Sequence, residues 1–276
     1  MKAVFSIFPK YYKHLDVHGL ASLVREVGLD TTNVIIRDGY WASPSGLAAD
    51  MPVFMHAMRV AGLNVSFATT DYSVASLLSD PTPLAILADN GITDFRLGYF
   101  KELPEGPRAS FTAARSELER LVPICERYGL RAVSQLHHNT MLSSPSAAWH
   151  VINGLPARWI GIELDPGNQS FEGYEDWGRT ARLLAGYIVA AAVKDTLLMR
   201  DALRTSEPDK GWQRTWAPID EGVVNWHDFL KSLAVIDFAG SYVFMPFYHE
   251  DNPELMTDNL KREVAYLRQI MASINI

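Results

Sequence analysis

The chain has 276 residues, 48% of them hydrophobic and 21% charged, with a formal net charge of −7. That is globular composition with material for a large core. An acidic chain with no Lys/Arg run argues against binding nucleic acid or an anionic membrane through a basic face, and no apolar run approaches the ~20 residues of a membrane span.

The first elements alternate cleanly. The apolar run KAVFSIFP reads as a strand and is followed by the helix-like VHGLASLVREVG. NVIIRDG is the second strand, and SGLAADMPVFMHAMRVAG follows with apolar residues at helical spacing. LNVSFATT and TPLAILADNG make a third pair, TDFRLGYF and SFTAARSELERLVPICERYG a fourth. Cys125, the only cysteine, lies in that fourth helix and reads as core rather than nucleophile. A single cysteine allows no intrachain disulfide, which fits a reducing, cytoplasmic location. The opening MKAVFSIFPKYY is too short and too quickly polar for a signal peptide.

The second half repeats the pattern. RAVSQLHH and SPSAAWHVINGL are the fifth pair, WIGIELDPG and YEDWGRTARLLAG the sixth. YIVAAAVKD is the seventh strand, followed by a long irregular stretch and then the helix-like NWHDFLKSLAVI. GSYVFMPFY is the eighth strand, and ELMTDNLKREVAYLRQIMASI closes the chain. Glycines at 28, 62, 91, 129 and 186 follow helical segments, where glycine takes a left-handed cap cheaply.

Strands alternating with helices imply parallel pairing, and eight such units in this length imply one (β/α)₈ TIM barrel, an α/β fold, as a single domain over residues 1–276. A doubly wound open sheet is the runner-up, but its first turn should carry GxGxxG, and none is present.

Barrel sites lie at the carboxyl ends of the strands, and those ends are polar here. Strand two ends in Arg37 and Asp38, strand three in Thr69, Thr70 and Asp71, and strand four contains Arg96. Strand five ends in Gln135, His137 and His138. Strand six holds Glu163 and Asp165, strand seven Lys194 and Asp195, and strand eight runs into Tyr248, His249 and Glu250. Charged groups in apolar strands are costly unless paired or liganded, so their convergence points to a small polar ligand; mutual pairing at the rim is the bland alternative. Alternation puts Glu163 with Asp165 and Gln135 with His137, and places His138 on the opposite face. Arg37 and Arg96 are candidates to clamp a carboxylate or phosphate, or to pair with Asp38, Asp71 or Glu163. The stretch after strand seven carries Trp212 and Trp216, candidates to stack on a sugar ring or to pack on the rim or a subunit contact. Tyr40, Trp41, Tyr99 and Phe100 add aromatic surface to the same end.

These segments resemble the sugar phosphate isomerase/epimerase superfamily, the xylose-isomerase-like barrels. IELDPGN is similar to that family's sixth-strand Asp-Pro-Gly-His/Asn motif, and AAVKD to its seventh-strand His-x-Lys-Asp motif. DEGVVNWHDFL resembles its Gly-Glu-Gly-Val-Val-Asp-Trp stretch, and QLHHNT aligns with a fifth-strand Glu-Asn-His motif. Order and spacing fit from about residue 30 to the end.

The resemblance implies one divalent metal (Mn, Mg or Zn) held by a Glu, an Asp, a His and a second Glu. The metal polarises the substrate while carboxylates shuttle a proton through an enediolate. Asp165 matches the Asp. The other three positions hold Gln135, Ala192 and either Met245 or Pro246. Hard cations need anionic oxygen ligands, so the usual site should bind metal weakly or not at all. A rebuilt site from Asp165 and Glu163 with His137 or His249 is the alternative.

The expected function is proton transfer of the isomerase/epimerase kind on a carbohydrate-like or polyhydroxylated small molecule. His137, Lys194, Asp165 and Glu163 are the catalytic candidates; Gln135, Arg37, Arg96, His138, Trp212, Trp216 and His249 are the substrate-binding ones. The alternatives are a metal-independent acid–base enzyme of the lyase type, and a non-catalytic ligand-binding or partner subunit. The family's DNA-repair branch fits poorly, because its several zinc sites need His-rich ligand sets that this chain lacks. The family often forms dimers or tetramers, so the resemblance also implies a homo-oligomer.

Overall fold

The computed structural model describes residues 3–249 and 251–275. Lys2 of the first strand segment and Glu250 after the eighth lie outside these residues. Eight strands run parallel: β1 (Val4–Ile7), β2 (Val34–Ile35), β3 (Phe67–Thr69), β4 (Asp94–Arg96), β5 (Arg131–Gln135), β6 (Ile160–Leu164) and β7 (Ile188–Val193). After the antiparallel strands β8 (Asp195–Arg200) and β9 (Trp212–Ala217), β10 (Ser241–Phe244) is the eighth. The order is β1-β10-β7-β6-β5-β4-β3-β2. Between β1 and the segment entering β2, backbone hydrogen bonds close the circle: Asp30 N–H to Phe5 C=O at 2.8 Å and Asn33 N–H to Ile7 C=O at 2.9 Å. The fold is therefore the expected (β/α)₈ barrel.

Alternation divides the strand residues into two cores. Phe8, Ile35, Phe67, Val133, Ala190, Ala192, Val243 and Met245 pack together inside the barrel. Ile7, Val34, Ala68, Phe95, Ala132, Ile162, Val193 and Phe244 pack outward beneath the helices. Cys125, wholly buried, belongs to that outer core, and burial pushes its thiol up to about 12, so it is not a thiolate nucleophile. The five glycines expected to follow helices all have positive φ, from 68° at Gly129 to 83° at Gly186.

Three regions differ from the reading of the sequence. A helix at Val74–Ser79 precedes the expected one after β3, and the crossover after β6 holds two helices, Pro166–Glu172 and Trp177–Leu183. The stretch after β7 is not irregular: β8 and β9 pair antiparallel from Asp195↔Ala217 to Arg200↔Trp212. Neither LLMR nor WQRTW alternates apolar and polar residues, so the hairpin leaves no period-2 signal around its charged, Gly- and Pro-containing turn.

Asp195 anchors the hairpin's base. Its carboxylate accepts from Thr196 N at 2.6 Å, Val224 N at 3.1 Å and Trp226 Nε1 at 2.8 Å. A Cβ on Gly222 would stand 2.0 Å from Asp195 Cγ. We expect Gly222→Ala to push Asp195 off these three donors and cost about 1–2 kcal/mol, an overpacking penalty. Thermal denaturation reads the loss, and an unchanged midpoint would mean the carboxylate tolerates displacement.

Candidate functional site

Asp165 lies at the carboxyl end of β6 and is wholly buried. It is the N-cap of the short helix Pro166–Glu172, so its Oδ1 accepts from Asn168 N at 2.8 Å. Oδ2 takes three further donors: Asn168 Nδ2 at 2.6 Å, Gln135 Nε2 at 2.7 Å and Lys194 Nζ at 3.0 Å. Both oxygens are therefore occupied within the protein.

The neutral partners are fixed in orientation by what they face. Gln135 donates to Asp165, and its Oε1 accepts from Arg96 at 2.8 Å and from the Tyr99 hydroxyl at 3.0 Å. Asn168 donates to Asp165 and to the Leu136 carbonyl, while its Oδ1 lies 2.9 Å from both Lys194 Nζ and His138 Nδ1. An acceptor at Asn168 Oδ1 makes His138 Nδ1 the protonated nitrogen. The result is a continuous chain, Arg96 to Gln135 to Asp165 to Lys194 to Asn168 to His138.

Glu163 is the exception. It is 1% exposed, and neither carboxylate oxygen has a hydrogen-bond partner within the protein. Burial pushes its carboxyl up to about 7; Arg96 and Lys194 act against that rise, and Asp165 adds to it. The β6–β7 register shifts between Ile162 and Glu163, an irregularity of the kind that re-aims side chains. Burial also pulls Lys194 below its ordinary range, opposed by Asp165.

Rings surround this polar cluster. Tyr99 packs on His137 at 4.6 Å, and His137 stacks on His138 at 4.5 Å. His138 stacks on Phe171 at 4.6 Å, and Phe171 meets Trp216 at 4.6 Å. Trp216 meets Phe247 at 6.1 Å, and Phe247 meets Phe8 at 5.9 Å. The Arg96 guanidinium, 5.6 Å from Phe8 and 5.5 Å from Tyr99, completes the circuit. Lys194 Nζ sits 4.3 Å from the Trp216 ring centre and 4.9 Å from that of Phe247. The circuit draws on β1, β4, β5, the helix after β6, hairpin strand β9 and the segment after β10.

The structure thus brings together Gln135, Glu163, Asp165, Lys194, Arg96, His137, His138 and Trp216. His138 is not on an opposite face: strand geometry ends at Gln135, and the turn beyond brings both histidines to the mouth. His137 hydrogen-bonds through Nδ1 to the His138 carbonyl at 2.8 Å, and burial draws its pKa down to about 4, so its ring is neutral near pH 7. Arg37 forms a two-pronged pair with Asp71 at 2.5 and 2.7 Å, and Arg96 NH2 lies 3.7 Å from the same carboxylate. Trp212 stands apart: it pairs with Arg200 at the far end of the hairpin, is 47% exposed and lies four residues from Trp216. His249 is exposed, at φ 51°, with its ring against Tyr248 rather than the cluster. Asn168, Phe8, Phe171 and Phe247 were not singled out in the sequence, though DPGN contains Asn168.

The donor set does not fit the metal site the resemblance implies. Of Met245 and Pro246, the structure brings Met245 to the site, with its sulfur 3.8 Å from Gln135 Nε2. Ala192 is wholly buried on the inner face. Gln135 points an N–H, not an oxygen, at Asp165. Among the described residues, no three His, Cys, Asp or Glu side chains are grouped to hold a metal ion. The rebuilt alternative is not assembled either: the His249 ring packs on Tyr248, and among the described residues His137, Glu163 and Asp165 do not form a group that could hold a metal ion.

A closed (β/α)₈ barrel with charged side chains gathered at the carboxyl ends of its strands has the architecture of a barrel enzyme. The chain belongs to the xylose isomerase-like TIM barrel family, whose model matches residues 90–270. Among solved structures it is similar to a xylose isomerase domain protein from Planctomyces limnophilus, at 15% identity over 99% of this chain and 98% of that one, TM-score 0.74. A probable 3-DHS dehydratase, AsbF, involved in petrobactin synthesis in Bacillus anthracis, is 16% identical over 96% and 98%, TM-score 0.71. A D-psicose 3-epimerase is 11% identical over 97% and 99%, TM-score 0.72. At these identities the likeness is one of fold. Among curated proteins none matches. Among the described residues no helix is long and apolar enough to cross a membrane.

Proposed function

We propose that this protein is a proton-transfer enzyme of the isomerase type acting on a carbohydrate-like, polyhydroxylated small molecule. Glu163 carries the proton. The observation behind this reading is a fully buried carboxylate with two unpartnered oxygens, in the field of Arg96 and Lys194. An unpaired buried carboxylate is costly, and a carboxyl whose range is raised toward neutrality is suited to accept and return a proton.

The chemistry follows from charge. Glu163 takes a proton from a carbon beside the substrate carbonyl, and the electron pair moves onto the carbonyl oxygen as an enediolate. Lys194 and Arg96 are the cations available to that oxygen. Protonated Glu163 returns the proton to the former carbonyl carbon on the same face, while the proton of the neighbouring hydroxyl passes to the former carbonyl oxygen, so the carbonyl moves one carbon along. One carrier suffices for that shift, whereas inversion at a single carbon needs a second acid on the other face. His137, neutral with Nδ1 engaged, is poorly placed to be that acid. The aromatic circuit supports a ligand with C–H faces, which pack on rings as a pyranose or open-chain polyol does. Asp165 holds Lys194, Gln135 and Asn168 in place rather than reacting.

Deuterium exchange tests this. Wild-type protein is incubated in D₂O with a panel of ketoses, aldoses and their phosphates, and loss of the C–H signal next to the carbonyl is followed by proton NMR. Exchange with at least one of them, abolished in a folded Glu163→Gln variant, is the expected result. Exchange that survives the substitution would remove Glu163 from the role.

A further inference from the structure

The mismatch between this donor set and a divalent ion carries a positive consequence. We propose that the Lys194 ammonium is the resident cation of this barrel, doing permanently, and without metal, what a bound divalent ion does for relatives. Its readouts are ion binding and stability, so failure of the exchange experiment would leave it standing.

Four observations support it. Lys194 Nζ lies between two oxygens, Asp165 Oδ2 at 3.0 Å and Asn168 Oδ1 at 2.9 Å. Its other neighbours are the faces of Trp216 and Phe247, whose quadrupoles favour a cation. Each of these four contacts prefers ammonium over neutral amine. The side chain is 2% exposed, so bulk water screens the charge little.

The second observation is the charge balance around Asp165. A divalent ion there would need to displace Lys194 Nζ and turn Gln135 so that its oxygen, not its amide N–H, faced the ion. That turn breaks the bonds of Gln135 Oε1 to Arg96 and Tyr99 and sets the amide N–H₂ against those donors. The third is Met245, whose thioether sulfur, a poor ligand for Mg²⁺ or Mn²⁺, packs on Gln135. The fourth is Arg96, 3% exposed and bonded to the same glutamine. A second fixed cation, one side chain away, adds repulsion toward a dication. Asp165 and Lys194 thus neutralise each other, and the substitutions at positions 135, 192 and 245 act together: they remove the metal's ligands and leave the lysine as the cation.

Two measurements decide it. In the first, metal-stripped wild-type protein is titrated with Mn²⁺ alone and the free aqueous ion is followed by EPR. The free-ion signal should grow in proportion to added Mn²⁺, with the same trace for Asp165→Asn. Loss of one equivalent of signal in wild type, restored by D165N, would overturn the proposal. In the second, Lys194→Ala removes the cation and leaves a slot of propyl length. Its thermal midpoint should fall by about 10 °C, as expected for a buried carboxylate stripped of its partner. Propylammonium chloride should restore part of that loss, and sodium chloride at equal ionic strength should not. An unchanged midpoint, or equal restoration by sodium, would also overturn it. If K194A does not fold, the Mn²⁺ titration decides alone.

Discussion

Asp165→Asn should cost about 3–5 kcal/mol of stability, the effect of removing one partner from a buried ion pair. The carboxylate is wholly buried and takes four donors, from Asn168 N, Asn168 Nδ2, Gln135 Nε2 and Lys194 Nζ. An asparagine offers one oxygen and an N–H₂ in the same space. Kept at the N-cap, its oxygen serves Asn168 N, and the N–H₂ then meets three donors head-on. Turned over, it satisfies the three and abandons the cap, which is itself worth about 1 kcal/mol. In either orientation Lys194 loses the carboxylate it touches, and Glu163, with its carboxyl raised to about 7, replaces that charge only in part. Denaturant unfolding of the two proteins measures the difference. A loss below about 1 kcal/mol would mean that water enters the barrel mouth and solvates Lys194, and the reading of a dry, neutralised cluster would fall with it.

The barrel was legible because two periodicities never competed. Segments such as NVIIRDG and WIGIELDPG are too short and too β-branched for helices, and the intervening stretches carry helical spacing closed by glycine. The hairpin was not legible, because strands of six residues around a charged turn give a weak signal inside a stretch otherwise rich in loop residues. At the site, residue identity was readable and orientation was not. Alternation correctly puts Glu163 with Asp165 on one face, since both lie on or next to regular strand, but that this face and that of Gln135 point inward is given only by the structure. It fails for His138, because the strand stops at Gln135 and the following turn sets its own directions. Motif order placed Asp195 and the Gly-Val-Val-Asn-Trp stretch separately; their contact through Val224 and Trp226 exists only in three dimensions. Mutual pairing at the rim is a reading the sequence allows; that Lys194 pairs with Asp165 follows only from distance.

The same limit hid Glu263, which sits in the closing helix as one acidic residue among several. It is 1% exposed. Its Oε1 accepts from Ile219 N at 2.9 Å and its Oε2 from the Tyr248 hydroxyl. Ile219 follows the strand that carries Trp216, and Tyr248 follows Phe247, so one carboxyl fastens two segments of the aromatic circuit to the C-terminal helix. Burial pushes its carboxyl up to about 8; the bonds from Tyr248 and Ile219 oppose that rise, Asp220 adds to it, and Arg262 opposes it. Tyr12 is the other titratable group coupled to it.

A folded-state value above the ordinary 4.5 means the folded protein holds a proton that the unfolded chain releases. The stabilisation is complete below pH 4.5 and is lost as pH rises through 8. Across pH 5 to 8 the loss from this group is on the order of 3 kcal/mol. Glu163 and Asp195, raised to about 7 and about 6, act in the same direction, while His137, lowered to about 4, acts against them below its ordinary 6.5. Glu263→Gln separates the contributions. The amide oxygen still accepts from Ile219, the N–H₂ donates to Tyr248, and nothing titrates. Thermal midpoints measured from pH 5 to 8 should fall by several degrees in wild type and much less in E263Q, with the two proteins closest at low pH. Parallel curves would show that Glu263 is already ionised in the fold at pH 5, and that Tyr248 and Ile219 hold it as a carboxylate against burial.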